Sequence, residues 1–166
     1  MTTRRQATKT PTAKDALALL RQDHERVRKL LSELEETTPR GVKTRSRLLD
    51  EIALEVQVHA TIEEEIFYPA FRRKGETGED EKLFYEAVEE HKLVHGALPA
   101  LQATDPATEL FGARAKVLKD LIEHHAEEEE NELFPRARKL MSRAELAELG
   151  ERLDARKRTL IEQGLE

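Results

Sequence analysis

Apolar residues recur along this chain at intervals of three and four, the spacing of one helix face. The first run is Leu17, Leu20, His24, Val27, Leu31 and Leu34, which predicts a helix beginning near Thr12, with Asp15 completing a capping box. A break at residues 37–41 follows. The spacing then resumes as Leu49, Ile52, Val56, His59, Glu63, Ile66 and Ala70, so a histidine and a glutamate stand where the pattern calls for apolar side chains. Residues 74–78 end this second segment. Thr77 and Asp80 cap a third helix with the line Phe84, Ala87, His91, His95, Leu98 and Leu101. Asp105 as N-cap and Pro106 at the first helical position predict the start of a fourth helix. Its line reads Leu118, Leu121, His125, Glu129 and Leu133. A last amphipathic segment starts at Ser142 with Glu145 and runs through Leu146, Leu149, Leu153 and Leu160, weakened slightly by Gly150.

These elements predict an all-α fold, an up-down antiparallel four-helix bundle with an additional C-terminal helix. The expected division is a flexible tail over residues 1–11, the bundle over 12–140, and an accessory helix over 141–166, packed on the bundle or on a protein partner. With 166 residues, one domain is the expectation. Charged residues make up 37 % and aromatics 4 %, which fits helices wrapped in solvated charge better than a sheet. The 28 basic side chains against 34 acidic ones leave a net charge of −6, which offers no general attraction to nucleic acid or anionic lipid. The basic start MTTRRQATKTPTAK has no apolar run behind it, so neither a secretory signal nor a membrane anchor is expected there. There is no cysteine. Disulfides, thiolate catalysis and thiolate metal sites are thereby excluded, a composition compatible with the cytoplasm.

The chemistry lies in an internal repeat. His59, Glu63, Glu64 and Pro69 match His125, Glu129, Glu130 and Pro135, with glutamate at plus four and plus five and proline at plus ten. Residues four apart stack on one helix face, so each copy can offer an imidazole and a carboxylate to one ion or to neighbouring ions. Single histidines on the first and third helices, His24 and His91, complete four inward positions. Carboxylates on core lines need a compensating cation. The prolines are expected to kink or end their helices near Glu65 and Asn131. His124 lies about 100° around the helix from His125 and should face a neighbour or solvent. Glu64 and Glu130 are candidates to orient a histidine N–H, and Phe67, Tyr68 and Phe134 read as core and rim.

Together, Asp23-His24-Glu25, the two HxxxE segments with their Phe-Tyr-Pro and Leu-Phe-Pro endings, and Glu90-His91 resemble the haemerythrin-like (HHE cation-binding) family over roughly residues 15–140. The resemblance implies that His24 and His59 serve one iron, that His91 and His125, joined by His95, serve the other, and that Glu63 and Glu129 bridge them. It implies a cofactor of two iron ions joined by an oxo or hydroxo group. Oxygen-carrying haemerythrins have an aspartate at plus five in the fourth helix, where Glu130 stands here. That departure points to the bacterial branch. The expected function is a non-haem di-iron protein that reacts with O2, H2O2 or NO in sensing or in catalase-like peroxide breakdown. The alternative is a regulatory module whose folding reports iron occupancy to a partner.

Overall fold

The computed structural model describes residues 14–164. Thr12 and the N-terminal tail lie outside them. The Asp15 carboxylate accepts from the Ala18 amide at 2.8 Å and starts α1, Ala16–Glu35. Every residue of the first apolar line is buried along this helix, His24 included. The second segment begins as α2, Val42–Ile62, and the Thr77–Asp80 capping box opens α4, Gly78–Gln102.

Between α2 and α4 the chain departs from the expected kink. Residues Glu63–Phe67 form a single π-helical turn, and the helix continues as α3, Tyr68–Lys74. The Tyr68 amide reaches back five residues to the Glu63 carbonyl. Pro69 has no N–H to give to Glu65, so the wider turn bypasses the missing bond without ending the helix. The same device recurs at the end of α5, Glu109–Glu128. A π turn at Glu129–Leu133 leads into α6, Phe134–Leu140, with the Phe134 amide bonded to the Glu129 carbonyl. In both copies the residue five places after the glutamate is thereby brought onto the glutamate's own side.

The expected start of the fourth helix at Asp105-Pro106 is corrected by three residues. Thr108 is the N-cap, its hydroxyl accepting from the Phe111 amide at 3.3 Å. Asp105 instead folds a turn, its carboxylate accepting from the Ala107 amide at 2.9 Å. Arg45 donates to the Pro106 carbonyl at 2.8 Å, occupying the acceptor that a helix starting there would use internally.

Pairs such as His24–His59 and Arg26–Glu55 show α1 and α2 running antiparallel, and His91–His125 with Arg114–Thr104 shows the same for α4 and α5. Helix α1 also packs on α5, and α4 on α2 and α3, closing the four-helix bundle. The additional helix α7, Arg143–Gln163, starts from a Ser142–Glu145 capping box and lies against α1, α2 and the first π turn. Its Leu146, Leu149, Leu153 and Leu160 are buried there, so this apolar line is covered by the bundle itself. No helix among the described residues is long and apolar enough to cross a membrane.

The core falls into two parts. One joins Leu17 and Leu20 to Phe67, Phe71, Phe134 and the α7 leucines; the other joins Val27 and Leu31 to Ile52, Val56, Leu98, Phe111 and Leu118. A polar layer of histidines and glutamates separates them.

Candidate metal centre

Each bundle helix brings one imidazole to this layer. His24, His59, His91 and His125 are all buried, as are Glu63 and Glu129. The Nε2 atoms face inward in pairs, His24 to His59 at 3.2 Å and His91 to His125 at 3.1 Å. Glu63 reaches both pairs with different oxygens: Oε1 lies 3.1 Å from His59 Nε2, and Oε2 lies 3.1 Å from His91 Nε2 and 3.9 Å from His125 Nε2. Glu129 Oε2 stands 3.2 Å from His24 Nε2 and 3.7 Å from His125 Nε2.

The outward nitrogens follow one rule. Each Nδ1 faces a carboxylate: His24 to Glu130 at 2.8 Å, His59 to Asp23 at 3.3 Å, His91 to Glu64 at 2.8 Å, and His125 to Glu90 at 2.6 Å. Such partners fix the ring orientation and leave Nε2 to act as a ligand. Glu64 and Glu130 are the plus-five glutamates of the repeat, each crossing to the histidine of another helix. Asp23 and Glu90 enter the sequence motifs only as the neighbours of His24 and His91, with no role of their own. Their signal was present, since an acidic residue immediately precedes the histidine in both single-histidine helices.

The π turns add two rings. Phe134, five residues after Glu129, stacks on His24 with centroids 5.8 Å apart. Tyr68, five residues after Glu63, places its hydroxyl 2.7 Å from Glu129 Oε1, 2.9 Å from His91 Nε2 and 3.2 Å from Glu63 Oε2. One hydroxyl proton can satisfy only one of these acceptors.

His95 stands apart from the inner layer. The buried line of α4 runs Ala87, His91, Val94, Leu98 and Leu101, so it passes through Val94 where the sequence reading used His95. The His95 side chain is 50 % exposed and its Nε2 lies 2.9 Å from Glu64. His124 is exposed beside Glu128, on the outside of α5.

Electrostatics and bonding both test whether a cation fits. Glu63 Oε1 and Glu129 Oε2 are buried without a hydrogen-bond partner, although imidazole nitrogens stand close by. Burial works against a charge on His59, but the Glu63 and Asp23 carboxylates overcome it and raise the imidazole to about 10. Burial likewise opposes the charge on His125, yet Glu129, Glu63 and Glu90 carry it well above its ordinary value, and His91 is raised by Glu63 and Glu64. Glu63 is pushed up by burial and pulled well below the usual range by the facing histidines. The carboxylates thus favour positive charge on the ligand-type nitrogens. Paired Nε2 atoms, two orphaned carboxylate oxygens and this preference for positive charge all fit metal ions.

A cavity of about 40 Å3 adjoins the layer on the Val27, Val56, Val94 and Ile122 side, with His95 also lining it. That is room for roughly three water-sized positions.

Four histidines from four helices, held by outward carboxylates around two inward ones, form a histidine–carboxylate cluster of the kind that can hold a cation in a helical bundle. The chain matches the Hemerythrin HHE cation binding domain over residues 15–137 and belongs to that family. Its fold is similar to that of a crystallised HHE domain protein of Mycobacterium kansasii, a homologue of Rv2633c, with a TM-score of 0.79 and 28 % identity, covering 92 % of this chain and 90 % of that one. The uncharacterized protein Rv2633c of Mycobacterium tuberculosis is 29 % identical over 119 residues, 71 % of this chain and 70 % of that protein. A protein named DNA nickase from Nostoc sp. is 29 % identical over 125 residues, 75 % of this chain. This chain spans about a third of the Nostoc protein's length, 34 %.

Proposed function

We propose that this chain holds two iron ions in the polar layer and that the pair reacts with dioxygen, hydrogen peroxide or nitric oxide, in oxygen or redox sensing or in peroxide breakdown. The observation that carries this reading is the pairing of four inward Nε2 atoms around two buried carboxylates, each with one oxygen, Glu63 Oε1 and Glu129 Oε2, left without a partner. His24 and His59 would hold one ion, His91 and His125 the other, and Glu63 and Glu129 would lie between them. Tyr68 would supply a further oxygen donor, in the role the sequence reading gave to His95. A nitrogen and oxygen donor set without sulfur suits iron, manganese, cobalt or zinc, and the family favours iron.

When bound, an iron pair supplies one-electron redox chemistry and positions for a small exogenous ligand. The chain's own residues do the rest. Asp23, Glu64, Glu90 and Glu130 orient the imidazoles. Phe67 and Phe134, both fully buried, keep water from the layer on one side. The valine-lined cavity admits something the size of a diatomic molecule or peroxide and has no room for a larger organic substrate.

The test is metal analysis and visible spectroscopy of the purified protein, before and after O2, H2O2 and NO. Two irons per chain and a spectrum that responds to at least one of the three support the reading. A colourless zinc protein indifferent to all three would overturn it.

A further inference from the structure

The four carboxylates that hold the histidines are themselves held, and three of them from within the bundle. Glu130 accepts from Arg28 of α1 at 2.9 and 3.3 Å. Glu64 faces His95 of α4 at 2.9 Å, and Glu90 stands beside His124 and Glu128 of α5. Asp23 differs. Its Oδ2 faces His59 Nδ1, and its Oδ1 accepts from Lys157 Nζ of α7. The family match ends at residue 137, so the helix that reaches this carboxylate lies beyond the residues of that match.

The docking of α7 aims Lys157. A Cβ on Gly150 would stand 2.5 Å from the Lys14 carbonyl oxygen and 2.8 Å from the Ala16 amide, so only glycine lets α7 come this close to the start of α1. Lys157 follows seven residues later, two turns along the same helix side. Between them Leu153 is fully buried. A cleft of about 590 Å3 lined by Gln22, Asp23, Gly150, Asp154 and Lys157 opens beside this contact, so without the ammonium group Asp23 has hydrated space into which to turn.

We propose that Lys157 is a positioning residue for the metal centre: it holds Asp23 where the carboxylate accepts the His59 Nδ1–H, so that docking of α7 sets how firmly the His24–His59 half keeps its ion. The proposal rests on the metal reading above. Glu130 has its own guanidinium partner, and the His91–His125 half is oriented by Glu64 and Glu90, so neither depends on α7. The effect falls on one ion of the two.

Lys157→Met keeps the aliphatic stem and removes the charge. Arg156→Met is the control, because Arg156 pairs with Glu65 at 2.7 and 3.0 Å and reaches no histidine carboxylate. Two measurements apply. In the metal-free protein, the 15N-coupled Nδ1–H resonance of His59 should exchange markedly faster in Lys157→Met and be unchanged in Arg156→Met. In protein loaded with cobalt(II), release to a chelator should show one of the two ions leaving about tenfold faster in Lys157→Met, the low end of what outer partners contribute. Lys157→Arg should restore both. Equal changes in the Lys157→Met and Arg156→Met variants would reduce the contact to helix docking and overturn the proposal, as would no change in either. A wild-type chain that takes up no metal overturns the metal reading and the ion-retention half of this proposal. The Nδ1–H comparison then still decides whether Lys157 holds His59.

Discussion

Loading this centre with metal should expel protons, and their source follows from the site. In the metal-free protein burial opposes the charge on His59, but Glu63 and Asp23 hold its imidazole at about 10. At pH 7.5 such a group carries its proton in nearly every molecule. His125 is held well above its ordinary value by Glu129, Glu63 and Glu90, and His91 is raised as well. An imidazole must be neutral to serve as a ligand. Filling the His24–His59 half therefore displaces a proton from His59, about one per chain, and the raised His125 and His91 add to that number when the other half fills. The apparent affinity for the pair should accordingly rise about tenfold or more per pH unit above neutrality, flattening as the pH approaches 10. Zinc, which has no redox chemistry of its own, is the suitable probe. Calorimetric titration at pH 7.5 in two buffers of different protonation enthalpy gives the proton count from the difference in heat. His59→Gln should release about one proton fewer. A wild-type chain that binds zinc without releasing protons would refute the charge reading, as would a His59→Gln variant that releases as many as wild type.

Other outcomes follow from the same geometry. His59→Ala and His125→Ala should each weaken metal retention at least as much as the ten- to hundredfold expected for an outer partner, whereas His124→Ala, on the exposed face of α5, should leave it unchanged; equal loss in all three by metal analysis would contradict the facing of α5. Tyr68→Phe should fit, since Phe134 fills the equivalent place in the second copy, yet shift the visible spectrum and weaken retention about tenfold; an unaltered spectrum and retention would leave Tyr68 as a hydrogen-bond donor only. Asp80 accepts from Arg136 at 2.5 and 3.0 Å and from the Glu76 and Thr77 amides at 2.8 and 3.1 Å, which hold its carboxyl well below its ordinary value. Asp80→Asn should destabilise the fold by about 1–3 kcal/mol at pH 7. Because the folded value is depressed, that difference is present above pH 3.8 and fades as the pH falls through the folded value; thermal melts that coincide at pH 7 would contradict it.

Much of this arrangement was legible in the sequence because helix periodicity is a strong signal. The apolar line of α1 and the buried leucines of α7 were read correctly, and the doubled HxxxE pattern marked the two helices that each supply a histidine and a glutamate. The π turns were not legible. One extra residue per turn barely disturbs a spacing of three and four, so Phe67 and Tyr68 read alike as core and rim although only Tyr68 reaches the glutamates. The same arithmetic blurred α4: His91 and His95 are four apart, but the buried face alternates four and three, and Val94 takes the place. Asp105-Pro106 misled for a different reason. Its turn chemistry and that of a helix start are the same, and the long-range bond from Arg45 to the Pro106 carbonyl decided between them. Outward partners such as Asp23 depend on which helix lies alongside, which no single segment records.

The most direct test of the central claim is a crystal structure of the iron-loaded protein with anomalous data at the iron edge. The expected result is two peaks per chain within the polar layer, one beside His24 and His59 and one beside His91 and His125, with Glu63 and Glu129 reaching both. A single peak, or iron found only at the surface group of Glu90, His124 and Glu128, would contradict it.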